Sequence, residues 1–411
     1  MNEDRHTSAT DTATGTDTAT GTDGAAGTDA ASLPLVTEVT ETGPVMRARL
    51  LSGRPGYLVT RHREAQEFFS DPAFSRAAVM RPGAPRELPR RQVGSSSSLF
   101  NMDPPEHTRL RRVIAKEFTR RRVKGLAGEV AETVEELLDR MEEAGPPADL
   151  VQALCTPLPL STICRLLGVP YEDRVLFREW VEAIMSWQGH GQEEVLRCRR
   201  ALHDYLTDLV AARRAEPGDD LLSALLVIRD EEDRITEEEL VGLSVALLIA
   251  GHETTLNQLG GTVHALLVEP ERYARLVRDP ELVPTAVEEL LRLVPAVPVS
   301  SPRYTLRDAE IGGVRVPAGS MVVASSVTAN RDPAVFPDPE TMDLGRTDNP
   351  HITFGHGPHF CLGSQLARTE LRTALGALVR RFPTLRLADP SRVRLRTEQL
   401  VQGPAELLVA W

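Results

Sequence analysis

The chain has 411 residues, of which 41% are hydrophobic, so it is long enough to bury a sizeable core in one large domain or two. Its formal net charge of −12 does not favour a nucleic-acid partner, and it has no run of roughly 18 apolar residues that would predict a membrane span. Four dispersed cysteines without a disulfide framework indicate a reducing compartment, so we expect a cytoplasmic protein.

The first 32 residues differ from the rest in composition. Residues 7–31 repeat Thr, Ala, Asp and Gly, with almost no apolar side chain larger than Ala. Such a segment cannot offset its ordering entropy, and it lacks the apolar stretch of a signal peptide. We therefore predict a disordered tail over residues 1–32 and a folded domain over residues 33–411.

Short elements are predicted to follow the tail. Residues 45–50 and 57–60 alternate as two strands around a turn rich in Gly and Pro, and a short helix follows at about residues 62–69. Residues 81–98 are rich in Pro, Gly, Arg and Ser. A loop of this length inside a compact domain often forms a lid or a binding wall.

A basic segment comes next, at residues 107–124, with eight Lys or Arg residues and the single acid Glu117. Asp103 is a candidate N-cap before it, and the two following prolines suit the first turn of a helix. Such a run is often only a solvated helix face. The alternative is a docking patch for an acidic partner, with cations that are also positioned for a bound carboxylate.

Helical periodicity then dominates the chain. Helices are predicted over residues 123–143, 150–167 and, with interruptions, 171–215. The sequence has no nucleotide-binding or flavin-binding glycine motif. Electrons for any redox chemistry therefore have to come from a partner, and the pattern predicts a mainly α protein.

The longest predicted helix covers residues 235–268 and begins with a capping box formed by Thr236 and Glu239. It is apolar nearly all round, as is typical of a buried helix, and would span about 50 Å. Its middle carries the polar residues 251–255, Gly-His-Glu-Thr-Thr, which need partners if they are buried. They mark either a packing kink or a local groove whose acid and alcohol relay protons to a ligand.

Two weaker patterns follow this helix. Glu289 and Arg292 lie three residues apart on one predicted helix, and an exposed pair of this kind contributes little by itself. Residues 310–325 read as three short strands, with a hairpin turn at Gly312-Gly313 and a second turn at residues 317–319. The helical protein is thus predicted to include a smaller β region.

The most specific pattern is the loop at residues 354–363, Phe-Gly-His-Gly-Pro-His-Phe-Cys-Leu-Gly. Cys361 lies where this loop turns into a helix predicted over residues 362–382, and the helix amides are expected to lower its thiol pKa and favour a thiolate. A thiolate on a stiff loop suits ligation of a soft metal centre. The alternatives are an inert buried cysteine and a zinc site with His356 and His359, for which a second ligand pair is missing.

This loop matches the pattern F-G-x-G-x-H-x-C-x-G at every fixed position and resembles the haem-binding signature of the cytochrome P450 superfamily. Residues 250–255 are similar to the family motif A-G-x-[DE]-T-[TS], and residues 289–292 to its motif E-x-x-R. The resemblance covers residues 33–411 and extends to soluble actinobacterial members that tailor macrolides and other secondary metabolites. It implies a triangular, α-rich single domain with a long central helix and β-sheets near the N-terminal third and the C-terminus.

The resemblance also implies a haem b cofactor whose iron takes its axial ligand from Cys361. The loop residues matched to the haem site are Phe354, Gly355 and Gly363. The residues matched to haem-propionate contacts are His107, Arg111, Arg303 and His351. The pair Glu289 and Arg292, with Arg346, is expected to brace the cysteine loop.

The implied reaction inserts one oxygen atom from O2, by hydroxylation or epoxidation, with two electrons supplied by a ferredoxin and its reductase. Glu253 and Thr254 would deliver protons, Thr254 through a hydrogen bond to the bound dioxygen. Gly251 would open the groove beside them, whereas His252 falls at a variable position and receives no catalytic role. The electron donor would dock on a basic face that includes Arg111, Arg112 and Arg368.

The implied substrate is an apolar small molecule, such as a polyketide or macrolide, because the matching walls are rich in aliphatic residues. The pocket residues are predicted to be Ala246, Ala250, Val297, Val299 and Val401. Oxidative cyclisation or coupling at the same site is an alternative, and so is a non-enzymatic haem sensor, against which the acid–alcohol pair argues. We expect the protein to be a monomer.

Overall fold

The computed structural model describes residues 33–81, 84, 98–116, 118, 120–185, 191–231, 234–396 and 399–411. The tail predicted over residues 1–32 and most of the loop predicted over residues 81–98 lie outside these ranges. The helices of the described part are α1 (His62–Ser70), α2 (Glu106–Ala115), α3 (Arg120–Ala144), α4 (Pro157–Leu167), α5 (Arg174–Met185), α6 (Gln192–Ala215), α7 (Leu221–Asp230), α8 (Glu237–Val268), α9 (Pro270–Arg278), α10 (Val283–Leu293), α11 (Ser326–Ala329) and α12 (Ser364–Arg381).

A smaller β region accompanies these helices, as the sequence predicts. Its strands are β1 (Val36–Val39), β2 (Val45–Leu50), β3 (Pro55–Val59), β4 (Phe74–Ser75), β5 (Ala148–Asp149), β6 (Arg303–Thr305), β7 (Ala309–Ile311), β8 (Val314–Val316), β9 (Met321–Ala324), β10 (Arg386–Leu387), β11 (Arg394–Leu395), β12 (Pro404–Glu406) and β13 (Leu408–Ala410). They form a six-stranded sheet in the order β1-β2-β3-β9-β6-β4, a three-stranded sheet β10-β13-β5, and the hairpins β7-β8 and β11-β12.

The six-stranded sheet combines strands from residues 36–75 with strands from residues 303–324. Strand β3 runs parallel to β9, with Tyr57 opposite Val322, whereas the other neighbours in this sheet are antiparallel. The predicted turn between β7 and β8 is present, and both Gly312 and Gly313 have positive φ, at +55° and +78°. Glycine adopts this left-handed conformation without steric cost, which explains the pair at this turn.

Helix α8 passes through the two largest hydrophobic clusters. Its first half, including Leu248, packs with α4 to α7, and its second half, including Leu259 and Val263, packs with α3, α10 and α12. Among the described residues it is the one helix long and apolar enough to cross a membrane, although half of its apolar window is buried inside the domain. Its position in the core therefore accounts for its apolar character.

The predicted elements agree closely with these bounds. The strands at β2 and β3 and the helices α1, α3, α8 and α12 are confirmed within a few residues. The helix predicted over residues 150–167 is divided into a π-helical turn, Val151–Cys155, and α4. Pro157 occupies the first turn of α4, where its missing N–H is tolerated, and this placement explains the new helix start.

Candidate active site

Cys361 lies at the end of a tight loop that leads from Phe354 into α12. The Cys361 N–H donates to the Phe354 carbonyl oxygen at 2.9 Å and closes the loop. Gly355 and Gly357 have φ of +73° and +69°. A Cβ at Gly357 would lie 2.9 Å from the carbonyl oxygen of Phe69, so the loop packs directly on the end of α1. Both glycines are therefore required by the backbone that presents the thiol.

The thiol of Cys361 has mixed electrostatic surroundings. Burial raises its pKa above the ordinary value, while the N–H of Gly363 and the guanidinium groups of Arg111 and Arg368 lower it. The prediction of a lowered pKa is thus wrong for the polypeptide alone, because the desolvation of a thiolate outweighs these groups. A coordinated metal cation supplies the charge that deprotonates such a thiol.

The beginning of α12 and the middle of α8 share one hydrophobic cluster. Leu362 and Leu366, which follow Cys361 in the chain, pack in the cluster that contains Leu248 of α8. The α8 residues Ala246, Ala250 and Thr254 recur every four residues, so they share one helix face, and all three keep accessible surface. We infer that this face of α8 borders the same interior space as the cysteine loop.

The acid and the alcohol predicted on α8 are adjacent and differ in their partners. The Asn257 Nδ2 donates to Glu253 Oε1 at 3.0 Å and to the Glu253 carbonyl at 2.8 Å. Burial raises the pKa of Glu253, against the lowering influence of Arg396. The Thr254 Oγ1 donates to the Ala250 carbonyl at 2.8 Å. A carboxyl with a raised pKa beside a hydroxyl is suited to proton transfer.

The predicted groove at Gly251 is not present as a break in α8. The helix is continuous from residue 237 to residue 268. A Cβ at Gly251 would lie 3.0 Å from the side chain of Ile163, so this glycine allows α4 to pack closely against α8. His252 is buried, its ring nitrogens have no hydrogen-bond partner among the described residues, and burial lowers its pKa to about 4.

Five basic side chains form a second constellation, which we call the cationic cluster: Arg76, His107, Arg111, Arg303 and His359. The rings of His107 and His359 stack with centroids 4.1 Å apart. Burial and the positive charges of the three arginines lower the pKa of His107 to about 4, although Asp103 raises it. The same three arginines act on His359, so the five side chains share one electrostatic environment.

The cationic cluster has little compensating charge among the described residues. Asp103 accepts hydrogen bonds from the Ser75 hydroxyl and from the backbone N–H of Arg76, and within the described part of the chain it is the one acid that influences His107, Arg76 and Arg303. The His107 Nδ1 is buried without a hydrogen-bond partner among the described residues. Buried cations are stable when they are paired. The two carboxylates of haem b are anions of the kind this cluster fits.

His351 lies apart from the cationic cluster. Its Nε2 is 3.2 Å from Glu288 Oε2, and its Nδ1 accepts from the Thr353 N–H at 3.3 Å. Because both ring nitrogens are engaged inside the protein, the predicted propionate contact at His351 is not supported. His359, which is the fixed histidine of the loop pattern and which the sequence also raised as a zinc ligand, lies in the cationic cluster. The described residues contain no group of three His, Cys, Asp or Glu side chains that could hold a metal ion.

The pair Glu289 and Arg292 anchors the segment before the cysteine loop, as predicted. The Arg292 Nε and Nη2 donate to the two carboxylate oxygens at 2.8 and 2.7 Å, and neither side chain is exposed. Arg346 Nε donates to the same carboxylate at 3.2 Å. Arg292 also donates to the carbonyls of Asn330 and Pro339, so one ion pair fixes a long irregular segment.

The predicted pocket residues separate into two groups. Ala246, Ala250 and Val297 keep accessible surface. Val299 has none, because it bridges to Ser325 and packs in the core beneath the six-stranded sheet. Val401 is also buried, at 5% exposure. The accessible surface predicted at this pocket therefore lies on α8 and at Val297, whereas Val299 and Val401 are buried among other side chains.

The three arginines predicted for the docking face also differ in availability. Arg111 donates to the Phe360 carbonyl and so ties α2 to the cysteine loop. Arg368 donates to Glu288 at 2.8 Å, and its side chain is only 18% exposed. Arg112 is exposed on α2. Of the three, Arg112 offers its charge most freely to a partner.

The glycine loop presents Cys361 near cations that have few paired anions among the described residues. Helix α8 carries an interior acid–alcohol pair. Together these features define a haem-thiolate centre. Comparison with known families agrees with this class. The model of the family described as Cytochrome P450 matches residues 36–410. The chain therefore belongs to the cytochrome P450 family, whose members are oxidoreductases that use haem b with an axial cysteine thiolate.

Individual relatives are similar over most of their length. The chain is 48% identical to nocardicin C N-oxygenase of Nocardia uniformis subsp. tsuyamanensis, covering 90% of this chain and 92% of the relative. It is 43% identical to mycinamicin IV hydroxylase/epoxidase of Micromonospora griseorubida, covering 91% and 94%. The structure of SgvP, a proposed thioether synthase in griseoviridin tailoring, is 45% identical with a TM-score of 0.85, covering 90% and 94%. The cytochrome P450 fold is thus confirmed.

Proposed function

We propose that this protein is a haem-thiolate monooxygenase that inserts one oxygen atom from O2 into an apolar secondary metabolite. The observation that carries the proposal is the rigid loop that presents Cys361 beside the interior face of α8. Haem, when bound, supplies the reductive activation of O2, which the side chains of the protein lack. The residues proposed to hold its propionates are His107, Arg111, Arg303 and His359.

The acid and alcohol of α8 are proposed to move protons. Burial raises the pKa of Glu253, which favours a carboxyl that carries a proton to give, and Asn257 fixes its orientation. The Thr254 hydroxyl has to release the Ala250 carbonyl before it can donate elsewhere. We therefore assign Glu253 as the proton source and Thr254 as the donor closest to the reacting oxygen.

The substrate is proposed to be a polyketide-type or peptide-type secondary metabolite. The accessible wall on α8 consists of alanines, and small aliphatic side chains leave room for a bulky apolar ligand. Two relatives are named for nocardicin C and mycinamicin IV. An optical titration of the ferric protein with macrolactones, peptides and β-lactams tests the class, because a low-to-high-spin shift reports displacement of the axial water. A response only to molecules outside these classes would contradict the assignment.

Electrons are proposed to arrive from a ferredoxin with its reductase, docked at the exposed end of α2. Arg112 is exposed and lines a surface depression of about 660 Å³ together with Arg109. The variant Arg112→Glu should raise the KM for ferredoxin and make this KM less dependent on salt concentration, since charge pairs steer association. Arg307→Glu, at an exposed position that pairs with Asp71, is the control. An unchanged KM for Arg112→Glu would place the docking surface elsewhere.

The central test concerns the iron ligand. Cys361→Ala should abolish the thiolate-type spectrum of the reduced carbon monoxide complex, whereas Cys198→Ala, at a buried free cysteine of α6, should retain it. Retention of the spectrum in Cys361→Ala would overturn the proposal.

The role of the alcohol is tested separately. Thr254→Ala should lower the product formed per electron pair by about tenfold or more, because protons no longer arrive in step with electrons. Thr262→Ala, at a buried threonine of the same helix, is the control. Equal coupling in both variants would remove Thr254 from the proposed relay, whereas the absence of product from the wild type and from both variants would favour a haem sensor.

Oxidative ring closure or coupling is the second candidate function. It uses the same cofactor and proton-handling residues, and the similar structure of SgvP is that of a proposed thioether synthase. Mass spectrometry distinguishes the two, because coupling removes two hydrogen atoms from the substrate without adding oxygen. Incorporation of ¹⁸O from labelled O2 into the product supports the monooxygenase.

A further inference from the structure

Arg76 is a buried cation whose guanidinium has no hydrogen-bond acceptor among the described residues. It follows β4 at the start of a short 3₁₀ turn, Ala77–Met80, and only 8% of its surface is exposed. Its backbone N–H donates to Asp103 at 2.9 Å, which fixes its position at the edge of the cationic cluster. Its guanidinium carbon lies 3.8 Å from the centre of the Phe100 ring. Stacking of this kind leaves the edge of the guanidinium free for an anion.

The surroundings of Arg76 are electrically unfavourable for a cation. Burial and, next, the charge of Arg303 lower its pKa to about 9, although Asp103 raises it. Two guanidinium groups, those of Arg76 and Arg303, therefore share one carboxylate among the described residues, and Arg111 adds a third positive charge beside His107. Haem b carries two propionates, so its binding would balance the charge of the whole cluster.

We infer that Arg76 is a haem-binding residue that donates to a propionate. This inference rests on the proposed haem-thiolate function. It adds Arg76, a cation from the N-terminal region, to the haem-propionate contacts that the sequence predicted. Asp103 and Ser75 are positioning residues in this scheme, because they hold the backbone from which the guanidinium extends. Phe100 covers one face of the guanidinium and limits its contact with water.

The test uses the haem-loaded enzyme and the variant Arg76→Gln, which removes the charge at similar side-chain length. Haem transfer from the ferric protein to excess apomyoglobin should become about tenfold faster, as expected for loss of one charge-assisted hydrogen bond. Resonance Raman bands of the haem propionates should shift, and the reduction potential should become more negative. Arg76→Lys should restore the potential and part of the haem retention, since it keeps the charge but loses the planar fork.

Two further measurements separate this inference from its alternatives. Arg307→Gln, which removes an exposed arginine shortly after β6, should leave haem transfer and the propionate bands unchanged. The carbon monoxide spectrum of Arg76→Gln should stay of the thiolate type, because Cys361 is untouched. Unchanged transfer and unchanged propionate bands in a folded Arg76→Gln protein would overturn the role of Arg76 and leave the haem-thiolate assignment intact. Loss of the thiolate spectrum in the wild type would instead refute the proposed function.

Discussion

Two buried clusters of charge differ in where their partners come from. In the cluster around Glu289, both carboxylate oxygens accept from Arg292, and further donors are Arg346, Asn349 and the Asp343 N–H. Burial raises the pKa of Glu289, but these donors outweigh it and the pKa is lowered. In the cationic cluster, by contrast, burial lowers the pKa of Arg303 to about 10, and the described chain supplies one carboxylate.

The two clusters therefore have different roles: the cluster around Glu289 stabilises the fold, and the cationic cluster is suited to binding a ligand. A buried ion pair with all its hydrogen bonds made inside the chain fixes the backbone that surrounds it, and here that backbone leads directly to the cysteine loop. The Asn330 side chain, next to this pair, also donates to Thr353 at 2.9 Å and accepts from the Ile352 N–H at 2.8 Å. A cluster with uncompensated positive charge depends instead on a ligand, since it gains most of its stability when an anionic ligand binds.

The largest expected effect comes from breaking the complete cluster. Glu289→Gln removes the negative charge and leaves Arg292 buried as an uncompensated cation, so the free energy of unfolding should fall by about 3–5 kcal/mol. Guanidinium unfolding followed by circular dichroism measures this change. The control is Glu271→Gln, which breaks an ion pair whose two side chains are 80% and 61% exposed and should have no measurable effect. Similar losses of unfolding free energy in both variants would mean that the buried network contributes no more to stability than an exposed ion pair.

The sequence predicted the first cluster and only part of the second. Glu289 and Arg292 lie one helical turn apart, so their contact follows from local geometry and is visible in the spacing. The cationic cluster is assembled from α2, β6, the cysteine loop and the end of β4, which meet only in the folded chain. Spacing along the chain therefore did not single out Arg76 and His359, which we propose as propionate partners, and it did not show that His351 contacts Glu288.

The elements themselves were more predictable than the surfaces they present. Regular apolar periodicity identified α3, α8 and α12, because burial of one helix face imposes that pattern. The same pattern does not show which apolar side chains line an accessible wall. Val299 illustrates this limit, since it is as apolar as Val297 but pairs with Ser325 and is fully buried.

A smaller effect is expected at Glu370, a buried acid on α12 with a single hydroxyl neighbour, Thr162. Burial raises its pKa from 4.5 to about 8, so the native state holds a proton that the unfolded chain releases across this interval. Stability is therefore lost as pH rises from 4.5 to 8, by up to about 1.4 kcal/mol per pH unit. Glu370→Gln keeps the shape without the ionisable group and should lack this loss.

The measurement compares unfolding free energies at pH 5.5 and pH 7.5. Glu370→Gln should gain stability over the wild type as pH rises, whereas Glu310→Gln, at an exposed position of β7, should follow the wild type. Parallel curves for all three proteins would show that the native Glu370 carboxyl ionises as readily as an exposed one. Burial raises the pKa of both Glu370 and Glu289, but Glu370 has fewer donors to oppose it, so its net pKa shift is in the opposite direction.

The smallest effect is expected at His252, whose ring is buried on α8 without a hydrogen-bond partner among the described residues. Burial and the charge of Arg178 lower its pKa from 6.5 to about 4, although the backbone of Thr156 raises it. The unfolded chain binds the proton first as pH falls, so stability is lost between pH 6.5 and pH 4.

His252→Leu should remove this loss and change the stability at pH 7.5 by no more than about 1 kcal/mol, since an apolar side chain of similar size needs no partner. His203→Gln, at an exposed histidine of α6, is the control. The thiolate-type spectrum and the coupling of electrons to product should stay at wild-type values in His252→Leu. A loss of coupling at unchanged stability would show that His252 belongs with Glu253 and Thr254 in the proton relay, and that its missing partner is part of the reaction.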